Sequence, residues 1–307
     1  MTSKTLLAAL LLTTSLAGLC FLGGTGPAAS VEVPLKAAEM IKCNFYDKND
    51  FLISVSQADE AVPPSGVVKG GIIPHHLLAG RMIAGFFEVL AADPPELVVV
   101  LAPNHKRSGM TDLHTLALDW ETPFGVLEAD SSAAVSLVKG LKAAESRSIM
   151  EEEYSISGLV PYIKYYLPET EILPVLLHGG YGRENSERLG SFLAESLQGK
   201  KAIILTSVDF SHYLPVDKAD RMDEVTLKAL ENADAEKISQ MGNDNLDSPP
   251  SIIALLSAME AMEAKDFKLL GHNNSSRITG SGADYTTSYF TAVFMRQGDG
   301  RSYKKYD

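Results

Sequence analysis

The sequence predicts an α/β fold: a single three-layer αβα domain whose central sheet is mixed and largely parallel. Three observations carry this reading. Short β-branched runs alternate with amphipathic stretches over most of the chain, the pattern of strands and helices taken in turn. Two of the runs, residues 97–101 and 202–206, are apolar at nearly every position, as strands covered on both faces are. No repeat, low-complexity tract or linker divides the chain, so residues 45–297 read as one domain followed by a polar tail at 298–307.

Taken in order, residues 31–65 form a mixed entry ending in Pro63-Pro64-Ser65-Gly66, a turn signal. Residues 67–73 read as a strand and 77–90 as the helix that returns from it; the strand at 97–101 follows. Helices are expected at 130–141 and 155–166, where apolar residues recur at helical spacing. A strand at 172–177 and a helix at 186–197 lead to the strand at 202–206. Helices at 218–231 and 250–264 precede strands near 268–270 and 288–294.

Of the 307 residues, 39 are Asp or Glu and 27 are Lys or Arg, giving a formal net charge of −12. With no basic run, the chain lacks the broad positive face that nucleic acid requires. A small-molecule substrate or a metal is the expected partner. At the N-terminus Lys4, an apolar run over 6–22 and a small-residue exit over 23–30 have the layout of an export signal. Left uncleaved, the run is about the roughly 17 residues of the shortest membrane spans and would serve as an N-terminal anchor. Either way the domain is expected outside the cytoplasm. Cleavage removes Cys20 and leaves Cys43, so no intrachain disulfide is expected, and Cys43 reads as a small half-buried apolar residue.

In open α/β sheets ligands bind outside the carboxyl ends of the strands. His75 and His76 follow the first strand, and Pro103-Asn104-His105 follows the second. His178 follows the strand at 172–177, and Ser207-Val208-Asp209-Phe210-Ser211-His212-Tyr213 follows that at 202–206. Five of the seven histidines therefore fall at one kind of place. A single imidazole has many roles, but several converging on one sheet edge point to a metal site, which commonly adds a carboxylate. His76 reads equally as a substrate-facing group or an exposed bystander. His178, ahead of Gly179, Gly180 and Gly182, reads as part of an anion-binding loop or of a plain turn. His114 and His272 have no setting that the sequence interprets, and Tyr285 and Tyr289 read as packing on the last strand.

Pro74-His75, the run Leu101-Ala102-Pro103-Asn104-His105 with Gly109, Thr122-Pro123-Phe124-Gly125, and Ser207 through Tyr213 resemble the signatures of the MEMO family. That family includes bacterial proteins labelled AmmeMemoRadiSam system protein B, and it is similar in fold to class III extradiol dioxygenases. The resemblance covers roughly residues 65–295. It implies that His75 and His105 bind metal, that Asp209 and His212 line the same cleft, and that His212 matches the acid/base histidine of the dioxygenases. The third family ligand is a cysteine opening a helix, and here Asp247 of Leu246-Asp247-Ser248-Pro249-Pro250 stands in its place. A second departure is Glu153-Tyr154-Ser155, where the family commonly has Glu-His-Ser. Tyr154 becomes a candidate hydrogen-bond donor to a ligand.

Two histidines and one carboxylate with open positions suit non-haem Fe(II) above all, with Cu or Zn as alternatives. Asp247 also sits where an aspartate caps a first helical turn, so ligand and cap are both open readings. The expected function is a metal-dependent oxidoreductase with an extradiol-dioxygenase-like site, with His212 as acid/base and Asp209 orienting it or a bound water. The alternatives are a non-catalytic metal- or ligand-binding scaffold and a zinc-dependent hydrolase on the same ligands.

Overall fold

The computed structural model describes residues 39–282 and 284–297. The export signal and the polar tail of the sequence reading lie outside these residues. Strands β2 (Val67–Ile73), β3 (Leu97–Pro103), β8 (Glu171–Leu177) and β9 (Ala202–Ser207) are four of the strands the sequence predicts, and they form a parallel core in the order β2-β9-β3-β8. Side chains alternate across it: Leu97, Val99 and Leu101 enter one helical layer, Val98, Val100 and Ala102 the other. This period of two is why a strand buried on both faces shows no polar alternation.

Helices α1 (Lys48–Ser56), α2 (Gly80–Ala91), α5 (Tyr154–Ser157) and α6 (Val160–Tyr166) cover one face through Phe51, Ile83, Phe87, Ile156 and Ile163. Helices α3 (Ser131–Leu141), α7 (Arg183–Ser196), α8 (Val216–Glu231) and α10 (Pro249–Ala261) cover the other through Leu137, Leu189, Leu193, Leu230 and Ile253. The three-layer αβα expectation holds. Helix α3 starts where Asp130 accepts the backbone N–H of Ala133, a side-chain cap that Lys200 braces from outside. Helices α7 and α10 pack so closely that a Cβ at Gly190 would lie 2.2 Å from the Ala254 carbonyl oxygen.

The strands flanking the parallel core run antiparallel to it, with the outermost pair β4–β7 parallel to each other. Strand β12 (Thr286–Arg296) pairs with β2, with β11 (Asp266–Asn274) and with β10 (Phe210–Leu214); β4 (Leu113–Thr115) pairs with β8 and carries β7 (Ala144–Glu145). A second, three-stranded sheet joins β1 (Ile41–Lys42), β5 (Trp120–Thr122) and β6 (Gly125–Leu127), burying Ile41, Trp120 and Leu127. Strand β1 thus lies ahead of the boundary at residue 45. Residues 155–166 are two short helices rather than one, broken at Gly158-Leu159. Helix α4 (Arg147–Glu152) precedes them, and α9 (Ala235–Ser239) and α11 (Ser275–Thr279) are single short turns. Among the described residues no helix is long and apolar enough to cross a membrane.

Candidate metal centre

The parallel core delivers its chemistry at one edge. His75 leaves the end of β2, His105 the end of β3 and Asp209 the end of β9. Each imidazole is fixed through its Nδ1. His75 is buried, and its Nδ1 lies 3.1 Å from the Ser207 hydroxyl. That hydroxyl donates its own proton to the Ser155 carbonyl, so it accepts from His75. His105 Nδ1–H donates to Glu153 Oε1 at 2.8 Å, while Glu153 Oε2 accepts the His105 backbone N–H at 2.8 Å. Glu153 is itself buried. Both rings therefore turn Nε2 inward, the arrangement in which an orienting partner on one nitrogen frees the other for a metal.

Both Nε2 atoms meet Asp247. Its Oδ2 lies 3.3 Å from His75 Nε2 and 3.5 Å from His105 Nε2. A short antiparallel bridge from Phe210 to Leu246 brings Asp247 beside Asp209, with the Asp247 N–H donating to the Asp209 carbonyl. Helix α10 has Ser248 as its N-cap, and neither Ser248 nor Asp247 makes a side-chain cap bond. The cap reading of Asp247 is thereby corrected: Ser248 occupies the cap position, and the aspartate turns to the histidines.

The electrostatics follow from three carboxylates around one buried and one half-buried ring. Burial opposes charge on His75, but Asp209 and Asp247 outweigh it and raise its pKa. Burial opposes charge on His105 too, and Asp247 and Glu153 overcome it to lift that ring to about 9. Burial would raise the Asp247 carboxyl, yet His75 and His105 hold it well below the usual range. Glu153 is lowered against its burial, chiefly by His105. The second carboxylate oxygen of Asp247, Oδ1, is buried with no hydrogen-bond partner among the described residues. Ligand atoms of His75, His105 and Asp247 lie within 4.8 Å of one another, as do those of Asp209, His212 and Asp247. A divalent metal fits this donor set: it would satisfy the orphaned oxygen and replace the protons that now separate rings from carboxylate.

Comparison with known proteins agrees with the geometry. A family model described as Memo-like protein matches residues 48–293. The chain belongs to the Memo-like family. A MEMO1 family protein of Pyrobaculum aerophilum, PAE0818, is 29% identical over 240 residues, covering 75% of this chain and 85% of that one. A MEMO1 family protein of Aquifex aeolicus is 28% identical over 236 residues, 74% of this chain and 86% of that one. The crystal structure of an uncharacterized protein, JW3007, from Escherichia coli K12 shares the fold at a TM-score of 0.50 and 12% identity, covering 74% of this chain and 99% of that one.

The remaining candidates fall around the Memo-like centre at different distances. His212 Nε2 lies 3.8 Å from Asp247 Oδ2. Asp209 accepts the His75 backbone N–H on Oδ1 and places Oδ2 3.6 Å from His75 Nε2; the sequence expectation had it orient His212 or a bound water. Tyr154 stacks on the His105 ring, centroids 4.4 Å apart and planes 16° apart, with its phenol pKa raised by burial and by Glu153. His76 points its Nδ1 at the Tyr289 hydroxyl. Tyr289 is thus more than packing, while Tyr285 is exposed and precedes β12. His178 is engaged with Asp112 and the Gly180 N–H beside β4. Asn104 closes its own loop, donating from Nδ2 to the Ser108 carbonyl and accepting the Ser108 backbone N–H on Oδ1. His114 is buried against Gly109, whose φ of +96° and Cβ position 2.5 Å from the ring admit only glycine. Sequence reasoning missed Glu153, Ser155 and Ser207 as orienting groups; the signals were the Glu-Tyr-Ser departure that holds the first two and the signature that Ser207 opens.

Proposed function

We propose that this Memo-like protein is a metal-dependent oxidoreductase in which His75, His105 and Asp247 hold one Fe(II). One observation carries the reading. Ser207 and Glu153 fix both imidazoles with Nε2 inward, opposite one buried carboxylate oxygen. Two histidines and a carboxylate with open positions are the donor set of non-haem Fe(II) enzymes, whose metal lets O₂ react with a chelating substrate. His212 Nε2, 3.8 Å from Asp247 Oδ2, would serve as general acid/base to a diol bound at the metal. Asp209 secures the His75 backbone. Tyr154, stacked on His105 and half exposed, offers a hydroxyl that stays protonated to a substrate oxygen.

The test is anaerobic reconstitution with Fe(II), followed by elemental analysis and O₂ uptake with a panel of catechols. About one iron per chain is expected, lost in His75→Ala and in His105→Ala. Full occupancy in both variants overturns the metal assignment. Tight metal with no uptake on any substrate reduces the protein to a metal-holding scaffold. Zinc as purified with ester or amide cleavage makes it a hydrolase on the same ligands.

A further inference from the structure

His212 stands in an irregular stretch of backbone. Phe210 pairs with Ser288 and Leu214 with Thr286, so three residues of β10 face a single residue of β12. Both neighbours of His212 lie in the left-handed region, Ser211 at φ +37° and Tyr213 at φ +54°. Side chains with a Cβ avoid that region, so something must hold them there.

The Ser211 and His212 backbone N–H groups donate to the carbonyls of Asn245 and Asn243, and a buried carboxylate grips the Ser211 side chain. Ser211 is wholly buried and its hydroxyl donates to Asp223 Oδ1 at 2.6 Å, with longer contacts to the carbonyls of Asp244 and Ala219. Asp223, on α8 and 1% exposed, accepts His272 Nε2–H on Oδ2 at 2.8 Å. The His272 ring also meets Phe290 edge-on at 4.8 Å, and Phe290 stacks at 4.3 Å on Phe210, where β10 begins. His272 therefore reaches the His212 segment by two routes, one polar and one aromatic. A buried polar cluster of this kind is a poor device for stability alone, because apolar residues of equal volume pack as well without desolvation. Its effect here is to fix where one segment points.

We propose that Asp223 and His272 are positioning residues that act through Ser211 to aim the His212 imidazole at Asp247. The proposal rests on the reading that His212 works at the metal centre, and it is tested without turnover or metal. In metal-free protein at one fixed pH, the long-range nitrogen–proton correlations of each imidazole are recorded, with His212 identified by their loss in His212→Ala. Expected is a shift or broadening of the His212 peaks in His272→Ala and in Asp223→Asn, while the His75 and His105 peaks stay in place. In His272→Gln, whose amide can still donate to Asp223, the wild-type His212 pattern returns. Wild-type His212 peaks in both disrupting variants overturn the proposal, even where the melting temperature falls. Equal movement of all three histidines overturns it too, since that marks general loosening. If the wild type takes up no metal, the functional reading fails while the His212 result still decides the positioning role.

Discussion

Metal uptake by this centre should expel protons, and the number follows from the geometry. In the metal-free protein His105 is held to about 9, so at pH 7 it carries a proton on the nitrogen that a metal needs. His75 is raised as well, so it adds to the protons that a metal displaces. Asp247 is lowered and stays ionised throughout. Competition from one bound proton weakens apparent affinity about tenfold per pH unit below the ring's pKa, so between pH 8 and 6 Zn(II) affinity should fall at least about 100-fold. Calorimetry in two buffers of different ionisation enthalpy should count at least about one proton released per Zn(II) at pH 7. Glu153→Gln removes a carboxylate that keeps His105 charged, and should flatten the pH dependence. Affinity that is flat from pH 6 to 8, or binding without proton release, would refute the inward-facing arrangement of His105.

The same ring makes the metal-free protein less stable in base. Because its folded pKa is raised from 6.5 to about 9, the stabilisation is complete below 6.5 and gone above 9. At 1.36 kcal/mol per unit the loss is about 3 kcal/mol, visible as a falling melting temperature between pH 6.5 and 9.5 that Zn(II) reverses. Gly190→Ala should push α7 from α10 and cost about 1–3 kcal/mol in urea unfolding. Asp130→Ala removes the cap of α3 and leaves Lys200 unpaired; a loss of about 1 kcal/mol is expected by the same assay.

The four core strands and their histidines were legible because a parallel strand covered on both faces has a simple signature, and ligands follow its carboxyl end. Helix α1 was not, since its sequence buries only Phe51 and Ser54 and shows no apolar stripe. The break at Gly158-Leu159 was hidden by apolar residues on both sides of it. Glu153 reaches His105 across 48 residues and Ser207 reaches His75 across 132, pairings that no local pattern encodes. The β10 irregularity was likewise invisible, because Phe210 through Leu214 read as a loop following β9.

Those separations also bear on when the site can form. His75 must find Ser207 across 132 residues of intervening chain, and Asp209 lies 38 residues ahead of Asp247. Contacts so distant in sequence form late, after the loops between them have closed. The nascent chain therefore holds no pre-assembled metal trap during synthesis. Loading is a property of the finished sheet, and an ion that binds the native state alone will slow unfolding without hastening folding.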